Sequence, residues 1–186
     1  MALSLEKAQR ALETAERLCS AAEVSQAVAR LADEITAALA RSFPLVLGVM
    51  RGSVIFAGQL LPRLEFPLEF DYLDVTRYRE KTRGGEIAWK VTPGTAVAGR
   101  VILVLDDILD EGQTLAAVKA KLLAAGASRV CCAVFAEKDI GRAKPVTADF
   151  VGVHLPNRYV FGFGMDIGGA WRNLPEIYAV KEDGEG

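Results

Sequence analysis

The sequence predicts an α/β fold with a central parallel sheet flanked by helices. Two uninterrupted apolar runs, residues 101–105 and 130–136, have the composition of strands that are covered on both faces. Between them, Leu115, Val118 and Leu122 recur at helical spacing, and Gly126 stands where such a helix would end. This order of strand, helix and strand predicts a right-handed crossover between parallel strands.

The N-terminal region, residues 1–43, is predicted to be helical. Apolar residues recur at helical spacing over residues 5–18, and Ser20 with Glu23 has the form of a capping box that opens a second helix. The second helix has one apolar face, made of Val24, Val28, Leu31, Ile35 and Leu39. We therefore expect it to pack against the sheet or against a neighbouring chain.

Further strands are predicted between this region and the first buried run. Residues 45–50 form a short β-rich run that closes on a tight turn before a helical pattern over residues 54–64. Residues 68–78 are again strand-like, and residues 79–86 contain no apolar side chain. Because such a polar stretch cannot bury itself, we interpret residues 79–86 as a mobile flap, with a plain hairpin tip as the alternative.

Length and composition exclude several classes of protein. The 186 residues suit a single domain, and 51% hydrophobic with 25% charged residues is typical of a globular chain. A formal net charge of -2 provides no global basic field for a nucleic acid. No apolar run is long enough to span a membrane. The three cysteines form no CxxC pair and are read as reduced thiols, which predicts a cytoplasmic protein.

A candidate site lies where the run at residues 101–105 ends in Asp106 and Asp107. Ligands bind open α/β sheets at the carboxyl ends of strands. The next turn, residues 110–114, combines Gly112, the Thr114 hydroxyl and the first free N–H groups of a helix, which are the parts of a phosphate cradle.

This acidic segment has two other interpretations. Paired acids after a strand can be solvated turn residues. The pattern Asp106-Asp107-x-x-Asp110 would hold magnesium for a prenyl diphosphate if it lay on a helix, but the apolar strand before it argues against that geometry.

Residues 101–115 resemble the phosphoribosyl pyrophosphate (PRPP) signature of type I phosphoribosyltransferases. The resemblance implies a twisted, mostly parallel sheet and a small C-terminal hood over residues 150–180. It also implies that Asp106 and Asp107 hold the ribose hydroxyls and Mg²⁺. The 5′-phosphate is assigned to the loop residues Asp110, Glu111, Gly112, Gln113 and Thr114. Glu111 stands where many members have Thr, and we expect it to point away from the phosphate or pair with a cation.

Residues 48–53 resemble the pyrophosphate-binding loop of the hypoxanthine-guanine branch, with Arg51 in place of the usual Lys. A simple turn between strand and helix is the alternative. The resemblance assigns Arg51 and Gly52 to the diphosphate of PRPP and implies a cis peptide bond between Met50 and Arg51. It also implies that Arg77 and Tyr78, at the start of the flap, cover the diphosphate.

The purine site is predicted from the same branch. Lys138 follows the run at residues 130–136, and the resemblance implies that it donates to the 6-oxo group of the base. Tyr159 would stack on the purine, the Val160 main chain would read its edge, and Asp166 would contact the metal or the base amine. Two further cations, Arg142 and Arg172, are assigned to the diphosphate.

The resemblance, which covers residues 45–180, implies an enzyme of purine salvage. It would transfer the 5-phosphoribosyl group from PRPP to hypoxanthine or guanine, giving IMP or GMP and pyrophosphate, as a homodimer or homotetramer. The implied catalytic residues are Asp110, Asp106 and Asp107, and the implied Mg²⁺ ligands are Asp106, Asp107 and Asp166. Two alternatives stay open: a PRPP- or nucleotide-sensing regulator of the same fold that binds RNA, and a xanthine-preferring phosphoribosyltransferase.

Overall fold

A computed structural model of the chain describes residues 3–77 and 87–181. These residues form four α-helices and nine β-strands. In chain order they are α1 (Leu5–Thr14), β1 (Glu16–Cys19), α2 (Ala21–Leu39), β2 (Leu45–Met50), α3 (Ser53–Leu60), β3 (Glu69–Arg77), β4 (Ile87–Val91), β5 (Val101–Leu109), α4 (Gln113–Ala124), β6 (Arg129–Lys138), β7 (Phe150–Leu155), β8 (Val160–Phe161) and β9 (Ile177–Ala179). A 3₁₀ turn at Leu61–Arg63 follows α3.

The central sheet has six strands in the order β4-β3-β2-β5-β6-β7. All neighbours are parallel except β4, which pairs antiparallel with β3 at one edge. The predicted α/β class and mostly parallel sheet are therefore confirmed. The carboxyl ends of β2, β5 and β6 lie side by side because these strands are adjacent and parallel, and this edge carries most of the predicted site residues.

The two apolar runs fill both faces of the sheet. On one face, Leu103 and Leu105 of β5 join Phe135 of β6 in a cluster covered by α2 and α3. On the other face, Ile102 and Val104 pack in a second cluster that includes α4 residues. Side chains alternate between faces along a strand, so a continuous apolar run is buried on both sides. This burial fixes the strands that support the site.

The predicted N-terminal helix over residues 5–18 is wrong over its last four residues, 15–18. The helix α1 ends at Thr14, and β1 pairs antiparallel with β9, which lies more than a hundred residues later in the chain. The Arg17 side chain donates to Glu176 at 3.0 Å beside this pairing. Long-range strand pairing outweighs a local helical periodicity here. The second prediction is confirmed, since α2 begins with the capping box of Ser20 and Glu23.

The hood also differs from the predicted residues 150–180. β7 belongs to the central sheet, where it pairs parallel with β6, because its alternating apolar residues complete that sheet. The hood is instead a three-stranded sheet in the order β1-β9-β8. The N-terminal segment is therefore part of the hood through strand β1. Helix α1 contacts the hood as well, since Trp171 Nε1 donates a hydrogen bond to the Ala8 carbonyl at 2.6 Å.

The helices and the cysteines bear on two classes of protein, those that span a membrane and those held by disulfides. Within residues 3–77 and 87–181, no helix is both long and apolar enough to cross a membrane. The three cysteines, Cys19, Cys131 and Cys132, are free and buried. Burial raises the pKa of the Cys132 thiol to about 12, so it is protonated at neutral pH.

Candidate active site

Asp106 and Asp107 lie inside β5 rather than after it. The strand continues to Leu109 because Ile108 and Leu109 stay in register with Ala136 and Glu137 of β6. The predicted strand end at residue 105 was therefore too early. The two carboxylates are held on a paired strand, so their backbone positions are set by the sheet and not by a loop.

Asp107 connects β5 to the loop between β2 and α3. Its Oδ1 accepts a hydrogen bond from the Ile108 N–H at 2.9 Å. A Cβ atom added to Gly52 would lie 2.1 Å from Asp107 Oδ2, so only glycine allows this approach. The predicted diphosphate loop and the predicted ribose and metal carboxylate are therefore in direct contact. The Met50–Arg51 peptide bond is cis, as expected, and Arg51 is exposed.

The two acidic side chains are held in a setting that disfavours their charge. Burial and the neighbouring Asp107 raise the pKa of Asp106 well above its ordinary value. Burial also raises the pKa of Asp107, against the opposing effects of a hydrogen bond from Asp106 and of the Arg172 charge. A cation placed beside this pair would relieve the repulsion and stabilise both carboxylates.

Arg172 joins the hood to this acidic pair. Its Nη1 donates to the Gly164 carbonyl at 2.6 Å and lies 3.8 Å from Asp107 Oδ2, while its Nη2 pairs with the Asp166 carboxylate. The Asp166 Oδ2 also accepts from the Gly169 N–H at 2.7 Å. Arg172 is thus a bridge between two predicted metal-binding carboxylates.

The predicted metal ligands Asp106, Asp107 and Asp166 are not assembled into one cluster. Among the described residues, no group of three or more His, Cys, Asp or Glu side chains is placed to hold a metal ion. The guanidinium of Arg172 pairs with Asp166 and lies beside Asp107. Any metal in this site must therefore draw further ligands from a substrate or from water.

Lys138 and Asp110 meet across the ends of two neighbouring strands. Lys138 is the last residue of β6, and its Nζ lies 3.0 Å from Asp110 Oδ2, just beyond the end of β5. The Lys138 side chain is 11% exposed and the Asp110 side chain 49% exposed. The site thus presents a hydrogen-bond donor and an acceptor side by side, with the acceptor open to solvent.

The loop at residues 110–114 has the geometry of an anion site. Gly112 adopts a left-handed conformation with φ of 80° and is the N-cap residue of α4. Because glycine has no side chain, it makes no side-chain hydrogen bond to the first N–H groups of the helix. The first N–H groups of α4 therefore point out of the helix end, beside Gln113 and the half-buried Thr114. Glu111 pairs with Arg142 at 3.3 Å, the arrangement expected for a carboxylate in a phosphate loop.

The remaining predicted residues lie in the hood or at its border. Tyr159 is 57% exposed, and its hydroxyl donates to the Asp166 carbonyl at 3.3 Å. Val160 begins β8 and is buried. The backbone of Arg77 ends β3, whereas Tyr78 and the flap at residues 79–86 lie outside the described residues.

Gly164 is a site residue that the sequence reasoning missed. It has φ of 99°, and a Cβ atom there would lie 2.2 Å from the Gly52 carbonyl oxygen. The hood and the diphosphate loop therefore touch through two glycines. The pattern Gly162-Phe163-Gly164 could have indicated close backbone contact, although the sequence does not say with which segment.

Comparison with known proteins identifies the family of this site. Residues 14–167 match the family described as phosphoribosyl transferase domain. The hypoxanthine-guanine phosphoribosyltransferase of Bacillus subtilis is 34% identical over 165 residues, which cover 88% of this chain and 92% of that protein. The chain belongs to the hypoxanthine-guanine phosphoribosyltransferase family.

Solved structures of hypoxanthine-guanine phosphoribosyltransferase relatives share the fold over about nine tenths of this chain. A hypoxanthine phosphoribosyltransferase from Staphylococcus aureus is 25% identical with a TM-score of 0.84, and the match covers 89% of this chain and 91% of that one. A hypoxanthine-guanine-xanthine phosphoribosyltransferase is 30% identical with a TM-score of 0.82, covering 90% and 97% of the two chains. The predicted resemblance to type I phosphoribosyltransferases is confirmed.

Proposed function

We propose that this chain transfers the 5-phosphoribosyl group from PRPP to hypoxanthine or guanine in purine salvage, giving IMP or GMP and pyrophosphate. The main support for this proposal is the ion pair between Lys138 Nζ and Asp110 Oδ2, which lie 3.0 Å apart. The 7H tautomer of a 6-oxopurine presents a carbonyl acceptor at position 6 next to an N–H donor at N7. The site offers the complementary order, an ammonium donor beside a carboxylate acceptor.

This pair also explains how the base is selected. An ammonium group has three donors and no acceptor, so Lys138 suits an oxo group and rejects the amino group of adenine. Tyr159, with 57% of its surface exposed beside the hood, supplies a flat face on which a purine can stack. The main chain of Val160 is assigned to the edge of the base, and Asp166 to its amine side.

The other end of the site is suited to the phosphates and the ribose. The open N–H groups at the start of α4, with the Thr114 hydroxyl, are assigned to the 5′-phosphate. The diphosphate is assigned to Arg51 and to Arg172, whose guanidinium already lies 3.8 Å from Asp107. Arg142, which pairs with Glu111 at 3.3 Å, is also assigned to the diphosphate.

The reaction is a displacement at C1 of the ribose. A bond forms between the purine ring nitrogen N9 and C1, the bond from C1 to the diphosphate oxygen breaks, and pyrophosphate leaves with both electrons of that bond. Asp110 accepts the imidazole proton or stabilises the charge on that ring. The carboxylates of Asp106 and Asp107 stabilise the positive charge that develops on the ribose, and Arg51 stabilises the leaving pyrophosphate.

The acidic pair in β5 fits a magnesium ion that arrives with PRPP. Mg²⁺ usually binds one or two protein carboxylates together with substrate phosphates and water, so a preformed cage of three carboxylates is not needed. Asp106 and Asp107 have pKa values raised by burial, which a bound cation would reverse. Mg²⁺ would supply neutralisation of charge on the leaving diphosphate. Asp166 would become a ligand only after exchanging its pairing with Arg172.

We also propose that the protein forms a homodimer or homotetramer. Phe70 and Tyr72 are each 45% exposed, and their spacing of two residues places both on one face of β3. A second copy of the chain would cover this aromatic surface. Size-exclusion chromatography with light scattering measures the mass in solution, and a monomer at micromolar concentration would exclude this assembly.

The proposed function is tested by identifying the product. The purified protein is incubated with PRPP, Mg²⁺ and hypoxanthine, guanine or xanthine, and the products are identified by mass spectrometry. IMP and GMP that depend on PRPP support the proposal, and product from xanthine alone supports the xanthine-preferring alternative. If no base reacts, salt-dependent retention of RNA tests the alternative of a regulator that binds RNA.

A further inference from the structure

Lys144 is a buried cation outside the predicted site. It lies in the loop between β6 and β7, and its side chain is only 8% exposed. Its Nζ donates to three oxygen atoms: the Leu109 carbonyl at 3.1 Å, the Lys138 carbonyl at 2.6 Å and Glu137 Oε1 at 3.0 Å. An ammonium has three N–H groups, and all three find an acceptor.

A buried ammonium is costly unless it is both paired and fully hydrogen-bonded. Glu137 provides the opposite charge, and the two carbonyls provide the remaining acceptors. A lysine in a surface loop would ordinarily extend into solvent, where it would avoid this cost. We therefore look for a functional reason for the burial of the Lys144 ammonium, beyond its pairing with Glu137.

The two carbonyls that Lys144 binds belong to the pair of Lys138 and Asp110 or to its neighbour in the chain. Leu109 is the last residue of β5 and precedes Asp110, and Lys138 is the last residue of β6. The register between β5 and β6 ends at the rung of Leu109 and Glu137. The pairing of β5 with β6 ends there, and the ammonium of Lys144 connects the two strands at this end by binding a carbonyl of each.

We propose that Lys144 is a positioning residue that sets the spacing between Lys138 and Asp110. This inference rests on the proposed function, since it concerns the same purine site. Lys144 touches no substrate; it fixes the two main-chain segments from which the donor and the acceptor project. A misplacement of about 1 Å in such a pair can cost about a hundredfold in rate, so a link of this kind is worth its electrostatic cost.

The test separates the purine site from the phosphate site by ligand binding. GMP occupies both sites, whereas ribose 5-phosphate lacks the base. In Lys144→Met, which keeps the aliphatic chain but loses the three donors, we expect the dissociation constant of GMP to rise by about tenfold or more, and that of ribose 5-phosphate to change by less than about twofold. The kcat/KM for hypoxanthine should fall in parallel with GMP affinity.

Lys119→Met is the matched control, because Lys119 lies in α4 and its one ion pair within residues 3–77 and 87–181 is a long 4.0 Å contact with Asp149. It should leave both dissociation constants unchanged. Circular dichroism and thermal melting check that each variant is folded at the assay temperature. If Lys144→Met does not fold, Lys144→Gln takes its place with the same criteria.

Equal weakening of GMP and ribose 5-phosphate would show a general structural role and overturn the inference. Unchanged binding of both ligands in a folded variant would overturn it as well. The proposed function fails separately: wild-type protein that makes no IMP or GMP rejects that proposal whatever the Lys144 variants do. An active wild type with an unaffected Lys144→Met rejects only the positioning role.

Discussion

Lys138 Nζ lies 3.0 Å from Asp110 Oδ2, and the two residues project from the adjacent carboxyl ends of β6 and β5. The sheet therefore presents a donor and an acceptor next to each other. Because Asp110 is 49% exposed while Lys138 is 11% exposed, a base can approach the carboxylate from solvent and reach the ammonium behind it. We therefore propose that this pair binds the 6-oxo edge of a purine.

Lys138→Met should weaken recognition of the base much more than recognition of PRPP. A hydrogen bond to a charged group contributes about 1.5–3 kcal/mol, so the kcat/KM for hypoxanthine should fall by roughly 10- to 100-fold. The KM for PRPP should stay within about twofold of the wild type, since no PRPP contact is removed. Steady-state kinetics with each substrate varied measures both values. Equal losses for the two substrates would mean that Lys138 does not read the base.

Asp110→Asn should reduce turnover while PRPP binding is largely kept. The amide preserves the size of the side chain but cannot accept the imidazole proton, and an acid/base group contributes about 10²–10⁴ to the rate. Turnover is followed by pyrophosphate release, and PRPP binding by calorimetry. Full turnover in this variant would remove Asp110 from the mechanism.

Glu111→Thr should improve PRPP binding at low ionic strength. The carboxylate lies in the loop assigned to the 5′-phosphate and engages Arg142 at 3.3 Å. Removing the carboxylate releases Arg142 from this pairing and takes a negative charge away from the site of the negatively charged phosphate. We therefore expect the KM for PRPP to fall by about two- to fivefold. The gain should shrink in about 1 M salt, because both side chains are solvent-exposed and screened.

Glu65→Thr is a control for the change in net charge, since Glu65 is exposed and lies outside the site. It should leave the KM for PRPP unchanged at either ionic strength. A Glu111→Thr variant with weaker PRPP binding would show instead that this carboxylate supports the loop through its pairing with Arg142.

Asp106→Asn should stabilise the metal-free, ligand-free protein at neutral pH. The pKa of Asp106 is raised in the folded state, so its ionisation opposes folding: the stability present at acidic pH is lost as the pH rises through the folded pKa. The asparagine variant escapes this loss. A gain of about 1 kcal/mol would raise the melting temperature by roughly 2–4 °C.

This prediction is checked by thermal denaturation in EDTA between about pH 4 and pH 8. The difference between variant and wild type should grow with pH and should vanish near the acidic end. A difference that is independent of pH, or a variant that is less stable at neutral pH, would contradict the assigned cause of the shift.

The central sheet and the acidic site could be predicted because their signals are local. The apolar run before Asp106 identifies a buried strand, and Gly112 with Thr114 identifies the loop that follows. Strand β1 could not be predicted in this way, since its partner β9 lies far along the chain and its own residues continue a helical periodicity. Pairing between distant segments leaves no trace in either segment alone.

The contacts around Lys144 and Arg172 were also beyond sequence reasoning. A loop lysine ordinarily indicates a solvated side chain, and only the folded chain places Lys144 between the ends of β5 and β6. Likewise, the resemblance assigns Asp166 to the metal or to the base amine, and only the fold shows that its carboxylate pairs with Arg172. In both cases the partner is chosen by how loops cross the edge of the sheet, which depends on the whole topology.

The most direct measurement is the kcat/KM for hypoxanthine compared with that for adenine, both with PRPP and Mg²⁺ in pyrophosphate-release assays of the wild-type protein. If the Lys138 and Asp110 pair reads the 6-oxo group, hypoxanthine should be preferred by about 10³-fold or more, because the amino group of adenine places a donor against the Lys138 ammonium and offers it no acceptor. Comparable values for the two bases would show that the Lys138 and Asp110 pair does not read the 6-oxo group.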